Sequence, residues 1–393
     1  MIYSYPLKSI NNGWEKMDTV ENLKNLLSKH FIINKARLEL IAQVILGLIK
    51  VRTVSLSELA TAFSGNAKKA SNEKRISRFL TEFNFDFSIL SLFIASLLPE
   101  GQWLLTIDRT HWEFGKTIIN ILMLSVTYKG VAIPLMWKFL KDPEDTKSGK
   151  KGNSNTSERI ELMTTFIQLF GTERIEGVAG DREFIGCEWF KWLKRQNIKI
   201  YMRIKENQNI TDSRGKPTSG KYLFRNLPVG KSRRLKGLRI IDGVEGYVTV
   251  HRLKTFELLI VVTFDDCYDA LEIYSKRWEI ETLFAHMKTK GFCFESTHLK
   301  DLEKINKLLG LVAIAFVWCY LVGDHLDSDY KPIPFKNHHY RALSIFRYGL
   351  DHIRRILLNI SEYINDFLNI LDVLANNVFI KPQPTSARRN FVR

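Results

Sequence analysis

Residues 272–292 read EIYSKRWEIETLFAHMKTKGF. Apolar residues recur through the stretch at helical spacing, so it predicts a helix. At about 100° per residue, with Tyr274 at 0°, Arg277 falls near 300°, Glu281 near 340° and Lys288 near 320°. These four polar residues share a stripe about 60° wide, beside an apolar stripe of Ile273, Ile280, Leu283, Phe284 and Met287. Glu272, Glu279 and Lys290 fall on the far side and read as solvated surface. An i,i+4 ion pair accounts for Arg277 and Glu281 and contributes only ~0.3–0.5 kcal/mol. It leaves Tyr274 and Lys288 on the same line unexplained, so the stripe reads as aimed at something.

The rest of the chain bounds what that could be. Its 393 residues exceed one simple core and suggest several domains. With 45% hydrophobic and 25% charged residues it has globular composition, yet 58 Lys and Arg against 42 Asp and Glu leave a net charge of +16. Such a balance points to a polyanionic partner. Cys187, Cys267, Cys293 and Cys319 lie far apart without a CxxC pair, which argues against a zinc site and a disulfide framework and fits a reducing cytoplasm. The beginning of the chain shows no apolar signal segment. The most apolar run, 308–323, is shorter than the ~18–20 residues of a membrane span, so it reads as a buried helix.

Residues 1–99 read as helical, with Ser55 or Ser57 as a cap and a basic helix in KKASNEKRISRFLTEF, an arrangement like a helix-turn-helix DNA-binding domain. From residue 100 the pattern changes. QWLLTID, TIINILMLSVTY and VAIPLMWKFL predict three strands. A polar loop over 141–158 leads to a helix capped by Asn155, then strand IEGVAGD, a helix, and strand IKIYMRIK. This is an α/β core with a mixed sheet, spanning 100–204 and 265–300. Residues 205–264 predict a β insertion, with strands at YLFRNL, RRLKGLRIID, GYVTVHRL and FELLIVVTF. Between residues 212 and 257 eleven Lys and Arg face four acids, a local charge of +7. Residues 301–393 read as helical, with a loose tail.

The spacing Tyr-x2-Arg-x3-Glu-x6-Lys resembles the signature of a large group of bacterial insertion-sequence transposases with a DDE catalytic centre. Two further motifs carry the resemblance. QWLLTIDRTHWEFG ends its strand reading in Asp108, and GVAGDREF sets Asp181 just after a strand. Glu183 lies two residues on and alternation would put it on the same face; the motif favours Asp181. The resemblance covers about residues 100–300. It implies an RNase H-like core in which Asp108, Asp181 and Glu281 bind two Mg²⁺ or Mn²⁺ ions, an arrangement suited to phosphodiester chemistry. It implies that Tyr274, Arg277 and Lys288 hold a DNA end, and that the ends are cut through a hairpin intermediate with a flipped base and joined to target DNA. Trp278, Tyr222 and Phe224 are candidate partners for that base. Lys231, Arg233 and Arg234 are candidate phosphate contacts in the insertion. His111, His286 and His298 read as structural or surface residues, with His298 a possible DNA contact. The resemblance also implies a homodimer acting on terminal inverted repeats, in the bacterial cytoplasm and away from membranes. A nuclease without strand transfer, and a catalytically silent DNA-binding regulator, are the competing readings.

Overall fold

The computed structural model describes residues 18–145, 147–336 and 341–375; the tail read above as loose lies outside them. The chain divides into two compact units, residues 1–100 with 310–393, and residues 101–309. The first begins with α1 (Thr19–Ser28), α2 (Lys35–Val51), α3 (Leu56–Thr61), α4 (Lys69–Glu82) and α5 (Phe87–Ser96). Asp18, Asn34 and Asp86 cap α1, α2 and α5 through their side chains, while Ser55 precedes α3 without a side-chain cap. α4 buries Asn72, Ile76, Phe79 and Leu80 and turns Lys69, Lys74, Arg75 and Arg78 outward. The Asn72 amide donates to the Ala60 carbonyl at 3.4 Å, tying α4 to α3.

The second unit opens with three antiparallel strands, β1 (Trp103–Phe114), β2 (Thr117–Tyr128) and β3 (Val131–Phe139). Then come α6 (Thr156–Phe170), β4 (Ile175–Gly180), α7 (Cys187–Arg195) and β5 (Ile200–Ile204). Asn155 caps α6 in a full capping box with Glu158. β4 lies parallel to β1 and β5 parallel to β4, giving the order β3-β2-β1-β4-β5. This is the mixed α/β core expected from the sequence.

The segment that follows holds β6 (Asn209–Thr211), β7 (Pro217–Ser219), α8 (Gly220–Leu223), β8 (Ser232–Arg234), β9 (Arg239–Ile241), β10 (Val244–Arg252) and β11 (Leu258–Thr263). β11 pairs with β5 and β10 with β11, so both extend the core sheet. Two strand expectations fail here. YLFRNL instead forms the helical turn α8, because Gly220 and Lys221 bond back to Gln208 and Glu206 and Ser219 caps the turn. RRLKGLRIID breaks into β8 and β9 around Gly237, whose φ of +74° suits glycine.

α9 (Ala270–Ser275) and α10 (Trp278–Met287) close this part of the chain. Residues 272–292 are therefore not one helix. Tight i−3 bonds at the junction, from Lys276 N to Ile273 O and Arg277 N to Tyr274 O, break it. Lys288 already lies outside α10, with ψ at −106°. A single wheel does not describe the four stripe residues.

Strand alternation assigns the faces. Trp103 meets Phe166 and Phe170 of α6. Its neighbour Leu104 turns the other way, into a cluster with Ala179, Tyr201, Val261, Ala270 and Tyr274. The α9 face of the sheet thus continues by twos to Asp108 on β1, Asp181 after β4 and Arg203 on β5.

α11 (Leu302–Asp329) begins in the second unit and ends in the first, which α12 (Ile345–Leu358) and α13 (Ile360–Ala375) complete. At 28 residues it is long enough to cross a bilayer, unlike the apolar run read from the sequence, but 89% of its apolar window is buried. Length and composition pass the membrane test while the packing is that of a core helix.

α11 and α12 touch backbone to backbone. A Cβ on Gly349 would collide with the Cys319 carbonyl, and one on Gly323 with that of Ile345. Gly349→Ala lowers the unfolding free energy by more than the ~1–3 kcal/mol of ordinary overpacking, because carbonyls cannot swing aside. Gly310→Ala, whose tightest contact is the end of the Leu90 side chain at 3.1 Å, with Phe85 and Phe87 at an ordinary 3.6 Å, costs clearly less. Equal thermal midpoints for the two variants would contradict this packing.

Candidate active site

Three segments distant in sequence meet at Arg277. Asp108 stands on β1 at the step where parallel pairing with β4 stops, the last partners being Ile107 and Gly180. β1 itself runs on to Phe114 against β2, so Asp108 does not end its strand as the sequence suggested. Asp181 directly follows β4, and Glu281 lies in the first turn of α10.

Arg277, at the α9–α10 junction, is 3% exposed. Its guanidinium spends each nitrogen on a different partner. One terminal nitrogen, Nη1, donates to Asp108 Oδ2 at 3.1 Å, Nη2 to Glu281 Oε1 at 2.7 Å, and Nε to the Tyr274 hydroxyl at 3.2 Å. Burial alone would favour losing the proton, but Tyr274, Glu281, Asp108 and Asp181 around it raise the guanidinium's hold on it. Burial pushes the Asp108 carboxyl up to about 6, against the Arg109 amide and Arg277 and with help from the charges of Asp181 and Glu281. For Asp108, desolvation outweighs the arginine.

Asp181 and Glu183 separate clearly. Glu183 is consumed by structure: Arg109 Nε reaches both its oxygens at 3.2 and 3.1 Å, and Ser154 donates to it through N and Oγ. Arg159 binds the Glu183 carbonyl at 3.0 Å and the Ser154 carbonyl at 2.6 Å. Arg109 also reaches Asn120 and Asn153. This net locks β1, the loop before α6 and the turn after β4 together. Asp181 carries no such load: its Oδ1 is buried and, among the described residues, has no hydrogen-bond partner, with Arg182 at 3.9 Å. Gly180 before it is needed for space, since a Cβ there would press on Met202 and Phe184.

Three carboxylates supply the hard oxygen donors that Mg²⁺ or Mn²⁺ prefers. The buried, orphaned Asp181 oxygen fits a site that a cation would complete. Arg277 now takes that part for Asp108 and Glu281. Among the described residues, no three His, Cys, Asp or Glu side chains already stand together as a cage.

The other sequence candidates spread out. Tyr274 is 2% exposed and lies in the core cluster, with burial raising its hydroxyl. It faces Arg277 and not the surface. Lys288 sits over the Trp112 ring, bonds the His111 carbonyl at 3.4 Å and pairs with Glu295 at 2.6 Å. Lys231 and Arg233 are exposed, whereas Arg234 pairs with Asp266. Phe224 is fully buried, and Tyr222 and Trp278 are 60% and 61% exposed. His111 faces solvent beside Arg109, His298 stacks on Phe114, and buried His286 is driven down to about 4.

Two residues were missed. Arg203 is largely buried on the carboxylate face of β5 and pairs with Glu257 at 3.4 Å. A charge inside the buried strand IKIYMRIK was the available signal. Glu279, read as solvated, accepts the Tyr128 amide at 2.6 Å and the Gly130 amide at 3.1 Å in the β2–β3 turn, and so anchors α10. Burial raises its carboxyl to about 7, against those two bonds. The folded chain then holds this proton more tightly than the unfolded chain. Glu279's contribution to stability is full below about 4.5 and is lost as pH rises through about 7. In metal-free buffer, wild type loses up to about 3 kcal/mol more than Glu279→Gln between pH 5 and 7.5. Parallel denaturation profiles would contradict it.

Residues 146–318 match the family model described as Transposase DDE domain. The DDE-domain match contains Asp181, Tyr274, Arg277, Glu281 and Lys288 and begins after Asp108. No curated protein matches the chain. Among solved structures it is similar to the cryo-EM structure of a piggyBac transposase synaptic complex with hairpin DNA, at 12% identity and a TM-score of 0.44, over 99% of this chain and 90% of that one.

Proposed function

We propose that the protein is a DNA transposase of the bacterial insertion-sequence type with a Tyr-Arg-Glu-Lys signature, cutting and joining DNA at Asp108, Asp181 and Glu281. The observation that carries this reading is the meeting of Asp108 and Glu281 on one buried arginine, facing Asp181, in a chain matched by a DDE-domain model. The three acids would hold two Mg²⁺ or Mn²⁺ ions. Bound metal supplies charge neutralisation at the phosphate and a more acidic water.

The residues of the chain do the positioning. Arg277 keeps the acids from repelling one another apart before metal arrives, and Tyr274 fixes the guanidinium. Arg109 and Glu183 hold β1 and the Asp181 turn in place. Because Tyr274 and Arg277 are buried, their contact with a DNA phosphate requires DNA to reach the junction from the carboxylate side. Lys288 and the exposed Lys231 and Arg233 hold backbone phosphates farther out. Paired ends on a homodimer, a hairpin intermediate and strand transfer belong to the same proposal.

Titration calorimetry with Mn²⁺ tests the site. Wild type binds the ion, and Asp108→Asn or Asp181→Asn loses most of the heat. Unchanged binding in both variants would remove these acids from the proposal.

A further inference from the structure

A cleft of about 650 Å³ lies between β8 and the start of α9, lined by residues that include Arg233, Arg234, Lys236, Thr249, Asp266 and Tyr268. Its strand-borne residues lie four strands from Asp181: Arg234 pairs with Thr249, Thr249 with Val261, Val261 with Arg203 on β5, and β5 with β4, which at ~4.8 Å per strand is roughly 19 Å. β11 runs antiparallel to β5, with Val262 opposite Met202, so residues after Thr263 leave the sheet where β4 and β5 begin. Asp181 stands where β4 ends. Whatever occupies this cleft is not the phosphate being cut.

Its chemistry is specific. Tyr268 is 83% exposed. The Arg234 guanidinium lies 4.3 Å from the centre of its ring, and is itself held by Asp266 and set 5.7 Å from the Tyr247 ring. One face of Tyr268 is thereby covered by Arg234, and the other is open for stacking. Arg233 and Lys236 are exposed, and among the described residues neither pairs with a carboxylate. An open aromatic face beside free cations serves an unpaired base and its phosphates. A duplex would use the cations only, since its bases are already stacked. The volume suits a ligand of this size.

We infer that this cleft binds an unpaired nucleotide within a DNA strand, the base on the outer face of Tyr268 and the flanking phosphates on Arg233 and Lys236. The inference rests on the transposase reading only in taking DNA as the partner.

The test uses the full chain without metal, and fluorescence anisotropy with a blunt duplex of about 20 base pairs beside the same duplex carrying a short thymine tail. Wild type binds the tailed duplex roughly 5- to 100-fold more tightly, as one stacked base predicts. Tyr268→Ala loses that preference and keeps its affinity for the blunt duplex; Tyr268→Phe retains the preference. A preference that survives Tyr268→Ala, or is absent from wild type, would overturn the inference. So would free thymidine monophosphate competing as well as the tail, which would assign the cleft to mononucleotides. Cleavage is scored separately. Active cleavage without a Tyr268-dependent preference sinks the cleft alone, and a Tyr268-dependent preference without cleavage leaves the cleft and sinks the enzyme reading.

Discussion

Asp181→Asn reduces DNA cleavage by on the order of 10³-fold or more, with thermal stability within about 0.5 kcal/mol of wild type. The asymmetry follows from what each acid of the DREF motif touches. Asp181 offers a buried oxygen with no hydrogen-bond partner, so an isosteric amide removes charge and little else. Glu183 receives Arg109 and Ser154, and Glu183→Ala leaves that half-buried guanidinium short of its anion. Its expected cost is about 3–5 kcal/mol in stability. Single-turnover cleavage and thermal denaturation, run on both variants, separate the roles. An active Asp181→Asn beside a folded but inactive Glu183→Ala would reverse them.

Arg277→Lys fails to rescue the junction. Three differently directed N–H groups serve Asp108, Glu281 and the Tyr274 hydroxyl, and an ammonium cannot span all three. We expect cleavage to fall at least 100-fold and stability to drop by about 3–5 kcal/mol, as for removal of one partner from a buried ion pair. Tyr274→Phe, which deletes only the bond to Nε, costs much less in stability, about 1 kcal/mol. If lysine supports wild-type cleavage, the guanidinium is not organising these acids.

Much of this architecture is legible in local pattern. β-branched alternation marks the core strands, and Asn155 with Glu158 marks the start of α6, because both signals are carried by neighbours in sequence. The site is legible in part. The candidate acids are picked out by motif alone, but a wheel drawn through residues 272–292 assumes an unbroken helix, and the i−3 turn at Arg277 changes which way each side chain points. Glu279 looked solvated on that wheel, yet the turn at Lys129 and Gly130 brings two amides to it. No local pattern pairs Arg109 with Glu183, 74 residues away. The short strands β8 and β9 were hidden because Gly237 interrupts a run that otherwise reads as continuous. The helix around the apolar run 308–323 was underestimated because its polar ends continue the same turn.

The central claim is that these acids cut DNA and join it. The direct measurement is a strand-transfer assay with a duplex ending in the element's own terminal repeat, a labelled target DNA and Mg²⁺, comparing wild type with Glu281→Ala. The account predicts nicking at the repeat boundary, a hairpin, and joined product with wild type, all lost in the variant. Nicked DNA without joined product would mean a nuclease, and binding without cleavage by either protein would contradict the claim outright.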